Sequence, residues 1–269
     1  MFIKKIIFKK IFLFFYPLTY INFFSSKNNF IVKKIRNVYY KALAKHDLEP
    51  IQKVKKTFIN SNYYVDIFID THDFSNVGQV IDPNWEADLF NYYKKISNKN
   101  IIFIDLGGNI GCHSLYILKY INFKKIIYLE PNKKCFELFN TSLSIQNLDR
   151  TKDVIALNKS ISHKAGTSVL KYFKNNSGSG SLVNYFGKKS KADIMHLYKS
   201  QFNYYNSENI TFDELFNDVQ KHDSIIIKMD IQGYEPNILS HLYKYIDKYN
   251  ISHCFFEVNE IEEKKMLET

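Results

Sequence analysis

Arginine is nearly absent from this 269-residue chain: Arg36 and Arg150 are the only two, so almost all of the +10 formal charge comes from lysine. Phosphate and base readers favour the planar guanidinium fork. Lysine beside abundant Asn, Ile, Tyr and Phe reads as compositional bias rather than a built basic face, so nucleic-acid binding is set aside. Cysteine is scarce too. Cys112, Cys135 and Cys254 are odd in number and form no CxxC pair, which excludes a zinc knuckle and a disulfide framework. Each thiol reads as a small buried hydrophobe in a reducing, cytoplasmic compartment. No His/Asp/Glu spacing marks a metal site, and no internal repeat is visible. Long apolar runs are missing as well. The uncharged stretch near the N-terminus, Ile11 to Phe24, has 14 residues, short of the ~20 that span a bilayer as a helix.

What is present is globular: 45% hydrophobic residues with 16% aromatics, enough to build a substantial core. The basic, apolar start MFIKKIIFKKIFLFFYPLTYINFF admits three readings. It is a segment lying on a membrane surface through residues 1–25, an ordinary packing helix, or a signal or anchor without a convincing cleavage site. Residues 1–75 are expected to form a mostly helical extension, with helix from about Phe30 to Asn62 broken at Pro50, and 76–269 the main domain.

From Ile101 onward apolar runs alternate with helical stretches. IIFIDL, KKIIYLEP, DVIALNKSI, TSVLKYF, SIIIKMDI and ISHCFFEV read as strands. Cys112 to Tyr120, Lys133 to Gln146 and Glu235 to Tyr249 read as helices, and NNSGSGSLVNYFGKKSKADI as a polar loop. Strands alternating with helices predict an α/β fold, a Rossmann-like, doubly wound, mainly parallel sheet. Ligands sit at the carboxyl ends of such strands, and four strands end on acids: Asp105, Glu130, Asp230 and Glu257.

The loop after the first strand reads DLGGNIG. It fails the G-x-G-x-x-G dinucleotide pattern, because Asn109 and Cys112 stand where glycines are needed. It fits D-x-G-x-N-x-G, with Asp105, Gly107, Asn109 and Gly111. An acid ahead of the loop repels phosphate and suits a cation, such as the ammonium end of S-adenosylmethionine. Glu130, 19 residues after Gly111, is placed to accept hydrogen bonds from ribose hydroxyls.

On these residues the chain resembles the FkbM-type S-adenosylmethionine-dependent methyltransferases. FIDLGGNIG is similar to that family's strand and cofactor loop, and IYLEPNKKCFELFNTSLSIQN to its second strand and helix. ITFDELF is similar to the stretch ahead of the fourth strand, and IIIKMDIQGYEPNIL to its most specific motif. The match runs from about Val77 to Val258. The resemblance implies a class I methyltransferase sheet and methyl transfer to a hydroxyl of a sugar, glycolipid or secondary metabolite. It also implies a small-molecule or glycan acceptor. Gly108 stands where the family commonly has alanine, a change expected to be harmless, and Gln232 where it has an acid. The usual C-terminal helix and strand hairpin is expected to be lacking, since EIEEKKMLET only begins that helix.

For the acceptor proton Asp230 is the first candidate base and Glu235 the second. Lys228 is a candidate ion-pair partner, and His113 a weaker candidate ligand contact. His163 and His222 read as loop residues. Ser177 to Ser181 is either a mobile lid or a plain linker, and Glu257 lines the acceptor side or merely ends its strand. Two rival classes remain open at this point: a non-catalytic scaffold that keeps the fold, and an NAD(P)-dependent oxidoreductase, which Asp105 and Asn109 disfavour.

Overall fold

The computed structural model describes residues 50–257, apart from 59–62, 83, 97–99, 147–152, 183–201, 218 and 221. The N-terminal segment 1–49 and the expected C-terminal helix both lie outside the described residues. The order begins with a hairpin, β1 (Ile51–Thr57) and β2 (Tyr64–Asp70), and helices α1 (Phe74–Ile81) and α2 (Ala87–Lys95). The alternating core follows as β3 (Ile101–Leu106), α3 (Cys112–Tyr120), β4 (Lys125–Leu129), α4 (Lys133–Ile145) and β5 (Asp153–Leu157). Next come β6 (Ser160–Ile161), β7 (Gly166–Phe173), β8 (Asn176–Leu182), β9 (Phe202–Ile210) and α5 (Phe212–Leu215). The described part ends with β10 (Ser224–Met229), α6 (Glu235–Leu242) and β11 (Asn250–Phe256).

Five strands form one parallel sheet in the order β11-β10-β3-β4-β5. The chain runs outward from β3 to β5, then returns to the other side of β3 as β10 and runs outward again to β11. Strand order therefore reverses between β3 and β10, and a crevice opens there at the carboxyl ends.

Period-two alternation explains why the central strands carry apolar side chains throughout. Phe103, Ile126, Tyr128 and Ile226 face one core with Phe90 and Tyr93 of α2, Leu115 of α3 and Phe139 of α4. Ile102, Ile104, Ile127, Ile225 and Ile227 face a second core with Leu215 of α5 and Ile238 of α6. Helices on both faces leave none of β3 exposed.

Three readings are corrected. Ile51–Thr57 is not helical but pairs antiparallel with β2 in full register, from Ile51 opposite Asp70 to Thr57 opposite Tyr64. Exposed Lys53 and Lys55 alternate with half-buried Gln52 and Val54 and with buried Lys56 along the strand, and pairing with β2 overrides propensity. Val65, Ile67 and Ile69 of β2 enter the first core, and Tyr120 and Lys119 of α3 donate to the Tyr64 carbonyl at 2.5 and 2.9 Å. The shared core thus starts upstream of residue 76.

The second correction is Asn176–Leu182, a strand rather than part of a loop, in a separate sheet of order β6-β9-β7-β8. Its small side chains give it no hydrophobic alternation to read. The hairpin is closed by Ser179, whose hydroxyl accepts from Phe173 N at 2.9 Å and donates to Asn176 O at 2.7 Å. Asn175 supplies the left-handed residue of the turn, at φ 65°. The expected helix from Glu235 to Tyr249 also stops early: α6 ends at Leu242 and a 3-10 turn, Tyr243–Tyr245, follows.

Candidate active site

The crevice is built first by backbone. After β3 the chain turns through Gly107 at φ 76° and Asn109 at φ 51°, and enters α3 at Gly111, φ 82°. Gly107 N and Gly108 N both donate to Leu129 O, at 3.0 and 2.9 Å, which folds the loop over the end of β4. From the other side Asp230 N donates to Leu106 O at 3.0 Å. A Cβ on Gly107 would overlap the Asp230 carbonyl, so glycine here lets the two strand ends meet.

Gly108 behaves differently from expectation. A Cβ there would overlap the ring of Tyr128, which stacks on Phe139 at 3.8 Å between centroids. The alanine that the family resemblance leads one to expect here does not fit beside this tyrosine. Gly108→Ala is expected to lower stability by about 1–3 kcal/mol, as overpacking does, and chemical denaturation of the purified chain measures it. A midpoint equal to that of the parent would show that Tyr128 moves freely.

Glu130 follows β4 and is 8% exposed. Its two oxygens accept from Asn109 N and Asn132 N, both at 2.7 Å, so the carboxylate ties the glycine loop to the start of α4. Burial pushes its pKa up to about 7, against the pull of those two N–H groups and with help from Asp105 and Asp230.

Asp105 does not face the crevice. It is fully buried, with one oxygen accepting from Ser114 Oγ at 2.7 Å and the other 3.6 Å from Lys228 Nζ. The cause is register: Lys228 of β10 sits directly opposite Asp105 of β3, so both side chains emerge on one face. Burial opposes the Lys228 charge, but Asp105 and Asp230 outweigh it and hold its pKa above the usual lysine range. Removing one member strands the other charge in the core, so Lys228→Met is expected to cost about 3–5 kcal/mol. Adding Asp105→Asn should return part of that loss in urea melts, and no return would mean the pair is not coupled.

Asp230 stays open. It lies 4.0 Å from Lys228, and its other oxygen accepts from Gln232 Nε2 at 2.6 Å. Gln232, left-handed at φ 57°, reaches Glu257 as well, at 3.3 Å. Glu235 is 2% exposed and takes Ile231 N and Gly233 N at 2.9 and 2.6 Å, shaping the loop from behind. Burial raises its pKa, against the pull of those backbone donors. It borders neither cavity of the crevice. His113 is buried, stacked on Phe90 at 4.6 Å and 2.7 Å from Glu86. His163 binds Tyr234 OH at 3.0 Å, and His222 sits 3.7 Å from Asp223.

Two cavities meet in the crevice, sharing Asn109, Gly178, Asp230 and Gln232. The narrow one runs past Gly107, Glu130, Ile161 and Leu182. The wide one, about 620 Å³, is bordered by Trp85, Lys228, Phe255 and Glu257. Strand β8 forms part of both walls, pinned by Ser177, whose N donates to Asp73 at 2.7 Å and whose Oγ lies 3.3 Å from Asn109. Asn109 also donates to Ser75 at 3.2 Å. Ser177 to Ser181, read as a lid or a linker, lies within β8 and borders the crevice, whereas Trp85 escapes sequence reading. Trp85 had one signal, being the chain's single tryptophan; the serine–glycine segment had no signal that it is a strand.

A parallel sheet reversing at β3/β10, with a glycine turn and a carboxylate after the next strand, defines a Rossmann-like fold, the one in which methyltransferases take S-adenosylmethionine as methyl donor. A family model, the methyltransferase FkbM domain, matches residues 105–267, more than half of the chain. The chain belongs to the FkbM methyltransferase family.

One curated relative, methyltransferase sdnD of Sordaria araneosa, is 36% identical over 84 residues, which is 31% of this chain. The chain spans about a third, 32%, of that relative's length. Among solved structures it is similar to the Pyrococcus abyssi tRNA (uracil-54, C5)-methyltransferase in complex with S-adenosyl-L-homocysteine. That likeness has a TM-score of 0.34 and 10% identity, covering 71% of this chain and 32% of the other. It is also similar to the M. jannaschii tRNA m1G37 methyltransferase, with a TM-score of 0.30 and 14% identity, covering 53% and 47%. Likenesses of that size say nothing about substrate.

The residues fit the nucleoside end of the donor. Glu130 lies beside apolar Leu129, Ile161 and Leu182 and would offer its remaining lone pairs to a ribose diol. The ammonium partner expected in Asp105 is closed off by Ser114 and Lys228.

Proposed function

We propose that this protein is an S-adenosylmethionine-dependent O-methyltransferase acting on a hydroxyl of a sugar, glycolipid or secondary metabolite. The observation that carries this reading is the placement of Gly107, Glu130 and Asp230 along one crevice, at the point where strand order reverses. S-adenosylmethionine, when bound, supplies a methyl group on a sulfonium leaving group. Glu130 accepts the ribose hydroxyls, and Gly107 and Asn109 border the same cleft. Asp230 sits where the two cavities join, open to a hydroxyl entering from the wide side. It receives the acceptor proton as the oxygen attacks, a contribution of about 10²–10⁴ in rate. Gln232 fixes the carboxylate through its 2.6 Å hydrogen bond, and Lys228 Nζ lies 4.0 Å from its other oxygen. Glu235 positions the loop that carries Gln232. Strand β8 shields the junction from water.

Calorimetric titration of the full chain with S-adenosylmethionine, S-adenosylhomocysteine and NADH tests this reading. Micromolar binding of both sulfur ligands, with none for NADH, is expected. A folded sample silent to both would leave the fold as a scaffold and remove the enzyme.

A further inference from the structure

The buried ammonium of Lys228 has more hydrogen-bond donors than the described residues satisfy. Lys228 is 6% exposed, yet it borders the wide cavity. Against the cost of burial, Asp105 and Asp230 keep it charged, with its pKa above the usual lysine range. An ammonium carries three N–H donors and no acceptor. Its charged partners among the described residues are Asp105 Oδ1 at 3.6 Å and Asp230 Oδ2 at 4.0 Å. Both lie beyond the length of an N–H···O bond, about 2.7–3.2 Å. Asp105 Oδ1 is itself buried and has no hydrogen-bond partner among the described residues.

Buried polar groups in folded proteins are paired, and leaving a charged one unpaired is the costlier case. A single oxygen about 2.8 Å from each can bridge two groups that stand 4.0 Å apart. Asp230 is arranged for this. Its Oδ1 is taken by Gln232 at 2.6 Å, and its Oδ2 is the atom nearest Lys228. Asp230 borders both cavities and Lys228 the wide one, so an oxygen on both groups lies where the two cavities meet.

We infer that Lys228 is a second catalytic residue: its ammonium and Asp230 Oδ2 hold one oxygen between them, at the place of the acceptor hydroxyl. This rests on the proposed reading of Asp230 as the proton acceptor. The ammonium donates to the hydroxyl oxygen while the hydroxyl donates to the carboxylate, which orients a lone pair and makes the O–H more acidic. The proton passes to Asp230 as the oxygen bonds the methyl carbon, and the carbon–sulfur bond breaks with its electron pair left on sulfur. Lys228 keeps its own proton throughout.

The test is a crystal structure of the full chain with S-adenosylmethionine, with water as the probe of the oxygen position. An ordered water is expected within about 3.2 Å of Lys228 Nζ and of Asp230 Oδ2, and about 3–3.5 Å from the methyl carbon. Asp105→Asn should keep this water. Asp105→Asn combined with Lys228→Met, which removes the buried pair together, should lose it, with calorimetric affinity for S-adenosylmethionine within about threefold of the parent. Three results each overturn the inference: Lys228 donating directly to both carboxylates, a water more than about 5 Å from the methyl carbon, or a water that persists in the double variant. Failure of S-adenosylmethionine to bind, with the water still on Lys228 and Asp230, overturns the donor reading and the catalytic role with it, while the oxygen site stands.

Discussion

Glu130→Gln is expected to weaken S-adenosylmethionine binding by about 10²–10⁴-fold, from two lost hydrogen bonds to a charged acceptor at about 1.5–3 kcal/mol each. The amide is a poor replacement for a second reason. Each carboxylate oxygen accepts a backbone N–H at 2.7 Å, from Asn109 and Asn132, so one side of a glutamine must set N–H against N–H. The glycine loop loses its tie to α4 along with the ribose. Isothermal titration of the variant measures the loss, and affinity within threefold of the parent would place the ribose elsewhere.

The pH dependence of the same site has a definite sign. Glu130 titrates near 7 in the folded chain against 4.5 as an ordinary carboxyl. The folded state therefore binds more protons than the unfolded between those values, and this group's contribution to stability grows as pH falls from about 7 toward 4.5. Donor binding runs the opposite way. Ribose hydroxyls stabilise the ionised carboxylate, so affinity should drop by up to about tenfold per unit below pH 7. Opposed trends in melting and in binding, both absent from Glu130→Gln, are the signature. A binding profile flat from pH 5.5 to 8 would contradict it.

Asp230→Asn carries the largest expected effect on chemistry: turnover down by about 10²–10⁴ with donor affinity within a few-fold. The asparagine oxygen still accepts from Gln232, so the loop keeps its shape while the proton acceptor is gone. Single-turnover methyl transfer from labelled S-adenosylmethionine measures it once an acceptor is in hand. Unchanged turnover would show that solvent or Glu257, also held by Gln232 at 3.3 Å, takes the proton.

Much of this fold was legible because periodicity survives into structure. IIFIDL, KKIIYLEP and SIIIKMDI carry apolar side chains to both faces of the sheet, so they read as strands. Helix α3 begins at Cys112 and ends at Tyr120, the limits the glycine turn implied. Where local pattern and tertiary partner disagree, reading fails. The lysine-rich Ile51–Thr57 has helical propensity and becomes a strand only because β2 offers a complete register. Asn176–Leu182 has almost no apolar content, and only pairing with β7 and the packing of Ser177 on Asp73 make it an element.

The site divides along the same line. Sequence by itself determined the alternation of strands and helices, the acids at the strand ends, the glycine turn and the family, since each is written in neighbouring residues. Only tertiary structure decided which acid faces where. Asp105 and Asp230 both close or follow a strand, but register sets Asp105 opposite Lys228 inside the sheet, while the turn at Gln232 leaves Asp230 open. Trp85 reaches the wide cavity through a carbonyl held by Lys56 from a hairpin far upstream. Such placements depend on strand pairing across tens of residues, and no local spacing encodes them.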